Sequence, residues 1–345
     1  MAQAASSRAF RSLLITGASG FVGAHLLSAL ARRWPDTALH ATTCHSLPGW
    51  AYAVEPSSEP GAGLAGRVRW HRLDITQGGR VTALLRTLNP DGVIHLAAQS
   101  HVPTSFRDPE LTWRVNLQGT LNLLEGIKRH CPETLLLNVG SSDMYGGAFL
   151  SGEPVSEKAA FQPLNPYAAS KAAADLAAGQ YAASEGLRVI RVRPFNHTGP
   201  GQREDFVLAG FASQIARIEA GLQPPVLETG NLDAQRDFLD VYDVVRAYLA
   251  LLELPARQQR GQAYNIASGR AVAIRELLQA LLERTECPIT HRLDPARQRP
   301  SDIQAVRADA TLLRQATGWL PTLPQGDMLE RLLNDCRRRV AATLR

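Results

Sequence analysis

The chain has 345 residues, enough for one large domain or two ordinary ones, with 45% hydrophobic and 20% charged residues. That is the composition of a soluble globular protein, and no apolar run approaches the ~20 residues a membrane span needs. The net charge is +5, but the arginines are spread along the chain, which argues against nucleic acid and suits an anionic small substrate such as a nucleotide diphosphate.

The first eleven residues lack the apolar core of a secretory signal, which points to a cytoplasmic protein. Apolar runs at 13–16, 39–42, 68–73, 93–97, 135–139 and 189–192 predict buried parallel strands. Helical patterns at 21–33, 81–88, 111–129 and 167–185 fall between them. Strands alternating with helices predict an α/β fold, a Rossmann-type doubly wound parallel sheet. Residues 46–66 are rich in Pro, Gly and Ser and predict an exposed loop between the second and third strands.

After Pro194 the rhythm changes, with helices predicted at 206–220, 240–253, 274–285 and 325–341. The run 263–266 is placed to return to the main sheet. The division expected is a dinucleotide-binding domain over 1–195. A smaller interleaved α/β substrate domain would follow over 196–345, with 232–267 returning to the first. The run Arg337-Arg-Arg339 near the C-terminus reads as a solvated helix face. The cysteines, Cys44, Cys131, Cys287 and Cys336, form no Cys-x-x-Cys pair, so reduced packed thiols are expected rather than a metal site or disulfides.

The first strand runs into Gly17-Ala-Ser-Gly20-Phe-Val-Gly23, which opens a helix. Gly17 would allow the tight turn, Gly20 the approach of a pyrophosphate, and Gly23 the packing of helix on strand. The backbone of Gly17, Gly20, Phe21, Val22 and Gly23 would then meet the phosphates at the helix N-terminus. The second strand ends in Thr42-Thr43-Cys44-His45, with no acid to hold a ribose 2′-hydroxyl and repel a 2′-phosphate. The same segment has no arginine to clamp that phosphate. NADP is therefore favoured, with NAD possible. Asp74 and Ile75, past the third strand, are placed to meet the adenine edge, although Asp74 also suits the cap of the next helix. Small residues in Leu96-Ala97-Ala98 would let the cofactor cross the strand ends. His95, inside its apolar strand, reads as a core histidine.

Tyr167 and Lys171 are four apart on a predicted helix, so they share a face. An ammonium beside a phenol would favour the phenolate and lower its pKa. Ser141, at the end of the preceding strand, could polarise a substrate carbonyl. Ser141, Tyr167 and Lys171 are the catalytic candidates, with Tyr167 and Lys171 also on the cofactor.

These residues resemble the extended branch of the short-chain dehydrogenase/reductases that acts on nucleotide sugars. The resemblance covers essentially the whole chain and narrows on Arg193-Pro-Phe-Asn-His-Thr-Gly-Pro-Gly-Gln202, on Gly230 to Asp240 and on Ala98-Gln-Ser-His-Val-Pro. It points to the GDP-6-deoxy-D-mannose reductases (GDP-4-keto-6-deoxy-D-mannose reductases), close to the GDP-mannose 4,6-dehydratases. It implies reduction of a sugar C4 ketone to give GDP-D-rhamnose. Ser105 and Asn196 would contact the nucleotide sugar, Arg236 and Arg299 would hold the diphosphate, and Arg217 is a further candidate for the nucleotide. The helices at 111–129 and 167–185 carry apolar residues beyond what one sheet face needs, which, with the habit of the family, predicts a homodimer.

The dehydratases carry Glu two residues before their Tyr-Gly, where this chain has Asp143. The carboxylate is one methylene shorter, which weakens the dehydratase alternative. The Cys and His of the 3,5-epimerase-reductases have no clear counterparts, His101 and His197 being nearest. Three alternatives stay open: the GDP-mannose 4,6-dehydratase, C4 reduction to the talo epimer, and a non-enzymatic dinucleotide-sensing protein on the same fold.

Overall fold

The computed structural model describes residues 10–47, 64, 66–297 and 303–344. Twelve strands and eleven α-helices are found among them. The first part alternates β1 (Ser12–Thr16), α1 (Phe21–Arg33), β2 (Ala38–Thr43), β3 (Val68–Arg72), α2 (Gly78–Leu88) and β4 (Gly92–His95). Two short helices follow, α3 (Val102–Arg107) and α4 (Pro109–Trp113), and a π-helical turn (Arg114–Gln118) leads into α5 (Gly119–His130). Then come β5 (Leu135–Val139), a 3₁₀ segment (Ser142–Ser151), α6 (Pro166–Ser184) and β6 (Val189–Pro194).

The second part contains β7 (Asn196–Thr198), α7 (Val207–Glu219), β8 (Val226–Thr229), β9 (Gln235–Asp240) and α8 (Val241–Leu252). It continues with β10 (Arg260–Ile266), β11 (Ala271–Ala273), α9 (Ile274–Leu282), β12 (Thr290–Leu293), α10 (Thr311–Thr317) and α11 (Gln325–Thr343).

Seven strands form one parallel sheet in the order β10-β6-β5-β4-β1-β2-β3. Successive side chains of a strand point to opposite faces. Leu13 and Ile15 accordingly join one core with Leu26 and Leu30 of α1 and Val244 and Tyr248 of α8. Leu14 joins the other core with Val81 and Leu85 of α2, Leu123 and Ile127 of α5, and Ala178 of α6. Burial on both faces is why the central strands β1, β4 and β5 read as nearly continuous apolar runs, whereas the edge strand β3 is half-exposed and carries Arg69, His71 and Arg72.

Strand order reverses between β1 and β4, and in open parallel sheets the crevice outside the strand ends at that point binds ligands. β4 stops at His95 rather than running to Ala97, because the next residues leave the sheet to pack on Gly17.

The expected return of 263–266 is seen: β10 pairs parallel with β6. β9 instead sits between β7 and β11 in a small separate sheet. A further core joins α7, α9 and α11 through Phe211, Ile215, Leu277, Leu329 and Leu332. Of the Pro/Gly/Ser-rich segment, residues 48–63 and 65 lie outside the described residues. No helix of the described residues is long and apolar enough to cross a membrane.

Candidate active site

The glycine loop meets the steric demands read from its spacing. Gly17 has φ +65°, and a Cβ there would lie 2.6 Å from the Ala97 Cα. A Cβ on Gly23 would lie 2.2 Å from the Ala18 carbonyl oxygen, so helix and loop close only on glycine. Gly20 differs, since its Cβ would meet just the Gly17 carbonyl oxygen, at 3.3 Å. Helix α1 starts at Phe21, and its N-cap Gly20 offers no side-chain cap to the first turn. The first-turn N–H groups and the positive end of the helix dipole therefore lie beside open space, which fits a pyrophosphate held by the backbone of Gly17, Gly20, Phe21, Val22 and Gly23.

The end of β4 is tied to this loop. The N–H of Leu96 donates to the Thr16 carbonyl (3.1 Å), and that of Ala97 to the Thr16 hydroxyl (3.3 Å). His95 bridges Thr16 Oγ1 (2.7 Å) and Thr120 Oγ1 (3.1 Å). Burial, helped by the charge of Lys171, pushes its pKa down to about 3, so it is a neutral core imidazole. Ala98 is partly exposed at the crevice. Asp74 accepts from the N–H (2.9 Å) and hydroxyl (2.8 Å) of Thr76, a turn just before α2, while Ile75 is buried and its carbonyl accepts from Asn122.

Ser141 follows the end of β5 and caps the 3₁₀ segment, its hydroxyl accepting from the Asp143 N–H at 3.2 Å. Asn165 caps α6 through the Ala168 N–H (2.8 Å), and Pro166 occupies the first turn, so Tyr167 stands at the mouth of the helix. One turn on, Lys171 is buried and its ammonium donates to the Val139 carbonyl. Burial lowers its pKa to about 8, opposed by Asp175, which leaves it mostly charged at neutral pH.

Tyr167 departs from the sequence expectation. Burial raises its pKa above the ordinary phenol value, the Asp143 carboxylate raises it further, and a hydrogen bond with Ser141 works against both. The phenol is neutral in the chain alone, because Lys171 spends its ammonium on the β5 carbonyl and desolvation of the phenolate outweighs the rest.

Two supporting groups were missed from sequence. Asp175, fully buried one turn beyond Lys171, binds Arg191 (2.7 Å) and Arg193 (2.9 Å). This clamps α6 to β6 and so fixes the face that carries Tyr167 and Lys171. The signal was present, since residues 167, 171 and 175 share a helix face and 191 and 193 a strand face. Asn116, buried in the π-helical turn, accepts from the Gln99 N–H (2.8 Å) and donates to Ser170 Oγ (2.9 Å). It joins the chain after β4 to α6, and π-turns are frequent at functional sites.

The substrate candidates are placed unevenly. Asn196 on β7 pairs with Phe238 of β9, the strand that also carries Arg236. Arg236 donates to the carbonyls of Gln235 (2.8 Å) and Ile303 (3.3 Å). Ser105 is buried, its hydroxyl donating to the Val102 carbonyl within α3 (2.7 Å). Arg217 on α7 is held by Glu204 (2.7 Å) and Ser213 (3.0 Å). Arg299 lies outside the described residues. His101 binds Thr104 Oγ1 (2.9 Å), and His197 stacks on Phe21.

A glycine loop at the switch point of a parallel sheet, with Ser141, Tyr167 and Lys171 on the neighbouring β5 and α6 elements, fits the class to which the comparisons assign the chain, the NAD(P)-dependent nucleotide-sugar oxidoreductases. The chain belongs to the GDP-mannose 4,6 dehydratase family, whose model matches residues 14–332. It is 40% identical over 328 residues to a GDP-6-deoxy-D-mannose reductase of Pseudomonas aeruginosa, covering 95% of this chain and 98% of that one. It is 31% identical to GDP-mannose 4,6 dehydratase 2 of Arabidopsis thaliana over 74% of this chain and 68% of that one. The structure of RMD from Pseudomonas aeruginosa complexed with NADPH superposes with a TM-score of 0.79 at 37% identity, covering 95% of this chain and 99% of that one.

Proposed function

We propose that the protein reduces the C4 ketone of GDP-4-keto-6-deoxy-D-mannose to GDP-D-rhamnose, using NADPH with NADH as a possible substitute. The observation that carries this reading is the Ser141–Tyr167–Lys171 group, in a chain 40% identical end to end to a GDP-6-deoxy-D-mannose reductase. In this reading residues 1–195 hold the dinucleotide and 196–345 the nucleotide sugar, with α8 and β10 returning to the first lobe while β9 stays in the small sheet.

When bound, the reduced nicotinamide supplies the hydride that reaches C4. Ser141 donates a hydrogen bond to the C4 oxygen, where negative charge develops. Tyr167, neutral and so still carrying its proton, donates that proton to the same oxygen. Lys171, charged and one turn along α6, would stabilise the phenolate left behind by turning to it an N–H that the Val139 carbonyl does not take. Asn196 and Ser105 contact the nucleotide sugar, Arg236 and Arg299 hold its diphosphate, and Arg217 is a further candidate for the nucleotide. Leu176 on α6 is 59% exposed and Trp113 on α4 is 39% exposed, apolar surface that a second copy would cover in a homodimer. Light scattering that gave a monomer mass would remove the dimer.

The test is to supply GDP-4-keto-6-deoxymannose with NADPH or NADH, follow the reduced-nicotinamide absorbance, and identify the sugar by NMR. Cofactor oxidation with a GDP-rhamnose product is expected; the talo product would reverse the stereochemistry. A second reading, the dehydratase, draws on Asp143, which raises the proton affinity of Tyr167 from the position of the dehydratase Glu. Absence of oxidation, with stoichiometric dinucleotide retained on purification, would favour it.

A further inference from the structure

The β2 end alone carries no cation to meet a 2′-phosphate, yet parallel pairing with β3 sets Thr43 directly against Arg72. At that corner is a cavity of about 300 Å³, lined among others by Thr43, His45, Ser46, His71 and Arg72. It adjoins the glycine loop, because the Ser19 hydroxyl donates to Thr43 Oγ1 at 3.0 Å. The cavity thus adjoins the loop expected to hold the pyrophosphate.

Its charge is one-sided. Among the described residues none that line it is acidic. Asp74, just past β3, is turned into its own bend by Thr76. The Arg72 side chain is exposed, with no hydrogen bond or ion pair among the described residues. Its carbonyl accepts from Arg80 at 3.4 Å, a second guanidinium close by. A guanidinium offers a planar fork of donors that matches phosphate oxygens in pairs, and no carboxylate among the described lining residues competes for it.

We propose that Arg72 binds the 2′-phosphate of the dinucleotide and makes the protein select NADP(H) over NAD(H). This rests on the reading above that the chain uses a nicotinamide dinucleotide. The selecting residue then comes from the neighbouring strand, not from the end of β2, where a search along the sequence looks for it.

The experiment is direct titration of NADPH and of NADH by isothermal calorimetry into the wild-type protein and into Arg72→Ala and Arg72→Lys, with thermal melts to show that each variant folds. Losing a charge-assisted pair should weaken NADPH by about 10- to 100-fold in Arg72→Ala. NADH should stay within about twofold, and Arg72→Lys should recover part of the loss. NADPH binding unchanged in Arg72→Ala, or NADPH and NADH weakened alike, overturns the role of Arg72 while leaving the dinucleotide reading intact. A folded wild-type protein that binds neither dinucleotide overturns that reading, and the role of Arg72 with it.

Discussion

Phe21 and His197 lie ring on ring, with centroids 6.0 Å apart and planes 11° from parallel. Phe21 opens the helix that would hold the pyrophosphate, and His197 follows Asn196 on the strand expected to touch the sugar. His197 is fixed from behind, its Nδ1 2.9 Å from the Phe195 carbonyl. Such stacked pairs contribute about 0.5–1.5 kcal/mol beyond their burial. His197→Ala should therefore raise KM for both dinucleotide and sugar, while His197→Phe should retain most of the affinity. Steady-state kinetics against each substrate decide this; an effect on the sugar alone would show that the stack does not couple the two sites.

Tyr167→Phe should bind NADPH as wild type does yet lose about 10²–10⁴ in kcat, the usual contribution of a positioned proton donor. Asp143→Asn gives a subtler result. Its carboxylate raises the proton affinity of Tyr167. The reductive step needs the phenol protonated, so activity falls as pH rises through that pKa. Removing the negative charge should move the alkaline limb of the kcat/KM profile to lower pH. An unmoved limb would mean that Tyr167 is not the group titrating there.

Two glycines, each in the first turn of a helix, should respond in opposite directions to alanine. At Gly23 the new Cβ collides with the Ala18 backbone, so the loop must shift; overpacking of this kind costs about 1–3 kcal/mol, and dinucleotide affinity should fall with it. At Gly79, exposed in the first turn of α2, nothing lies within 4 Å of the added Cβ. Gly79→Ala should gain about 0.5–1 kcal/mol from helix propensity and lost chain freedom. Denaturant melts of both variants test the contrast.

Acid should destabilise the fold before the carboxylates titrate. Burial holds the pKa of His25 at about 4 and that of His95 at about 3, both below the ordinary histidine value. A histidine depressed in the folded state contributes stability that is present above its unfolded pKa of about 6.5. That stability is lost as pH falls towards the folded value, by at most about 1.4 kcal/mol per pH unit for each group. Thermal midpoints should drop steadily from pH 7 to pH 5, and His95→Gln should flatten the slope. A flat wild-type profile over that range would contradict the assignment.

The long elements were legible because their signals are local. Six apolar runs gave six strands of the main sheet, and a parallel sheet covered on both faces demands such runs. The glycine loop declared its conformation through residues that only a backbone collision explains, Gly17 and Gly23. What escaped has no apolar signature. β7 is Asn-His-Thr, and β12 is exposed throughout, so neither could be told from loop. The buried ties of Asp175 to Arg191 and Arg193 needed two elements to be matched, although each had the right spacing. The pKa of Tyr167 could not be read from a spacing of four, because that spacing says nothing of where the lysine ammonium finds its acceptor.

The π-helical turn at Arg114–Gln118 has a consequence for insertions and deletions. An extra residue is wound into an otherwise continuous helical run, and each residue of an α-helix turns the chain by about 100°. Removing one residue there would restore ideal winding and hydrogen bonding. It would also swing Thr112, which accepts from Gln99, out of phase with Thr120, which meets His95. The locally better helix would present the wrong azimuth to the crevice, so length at this turn is constrained more tightly than residue identity.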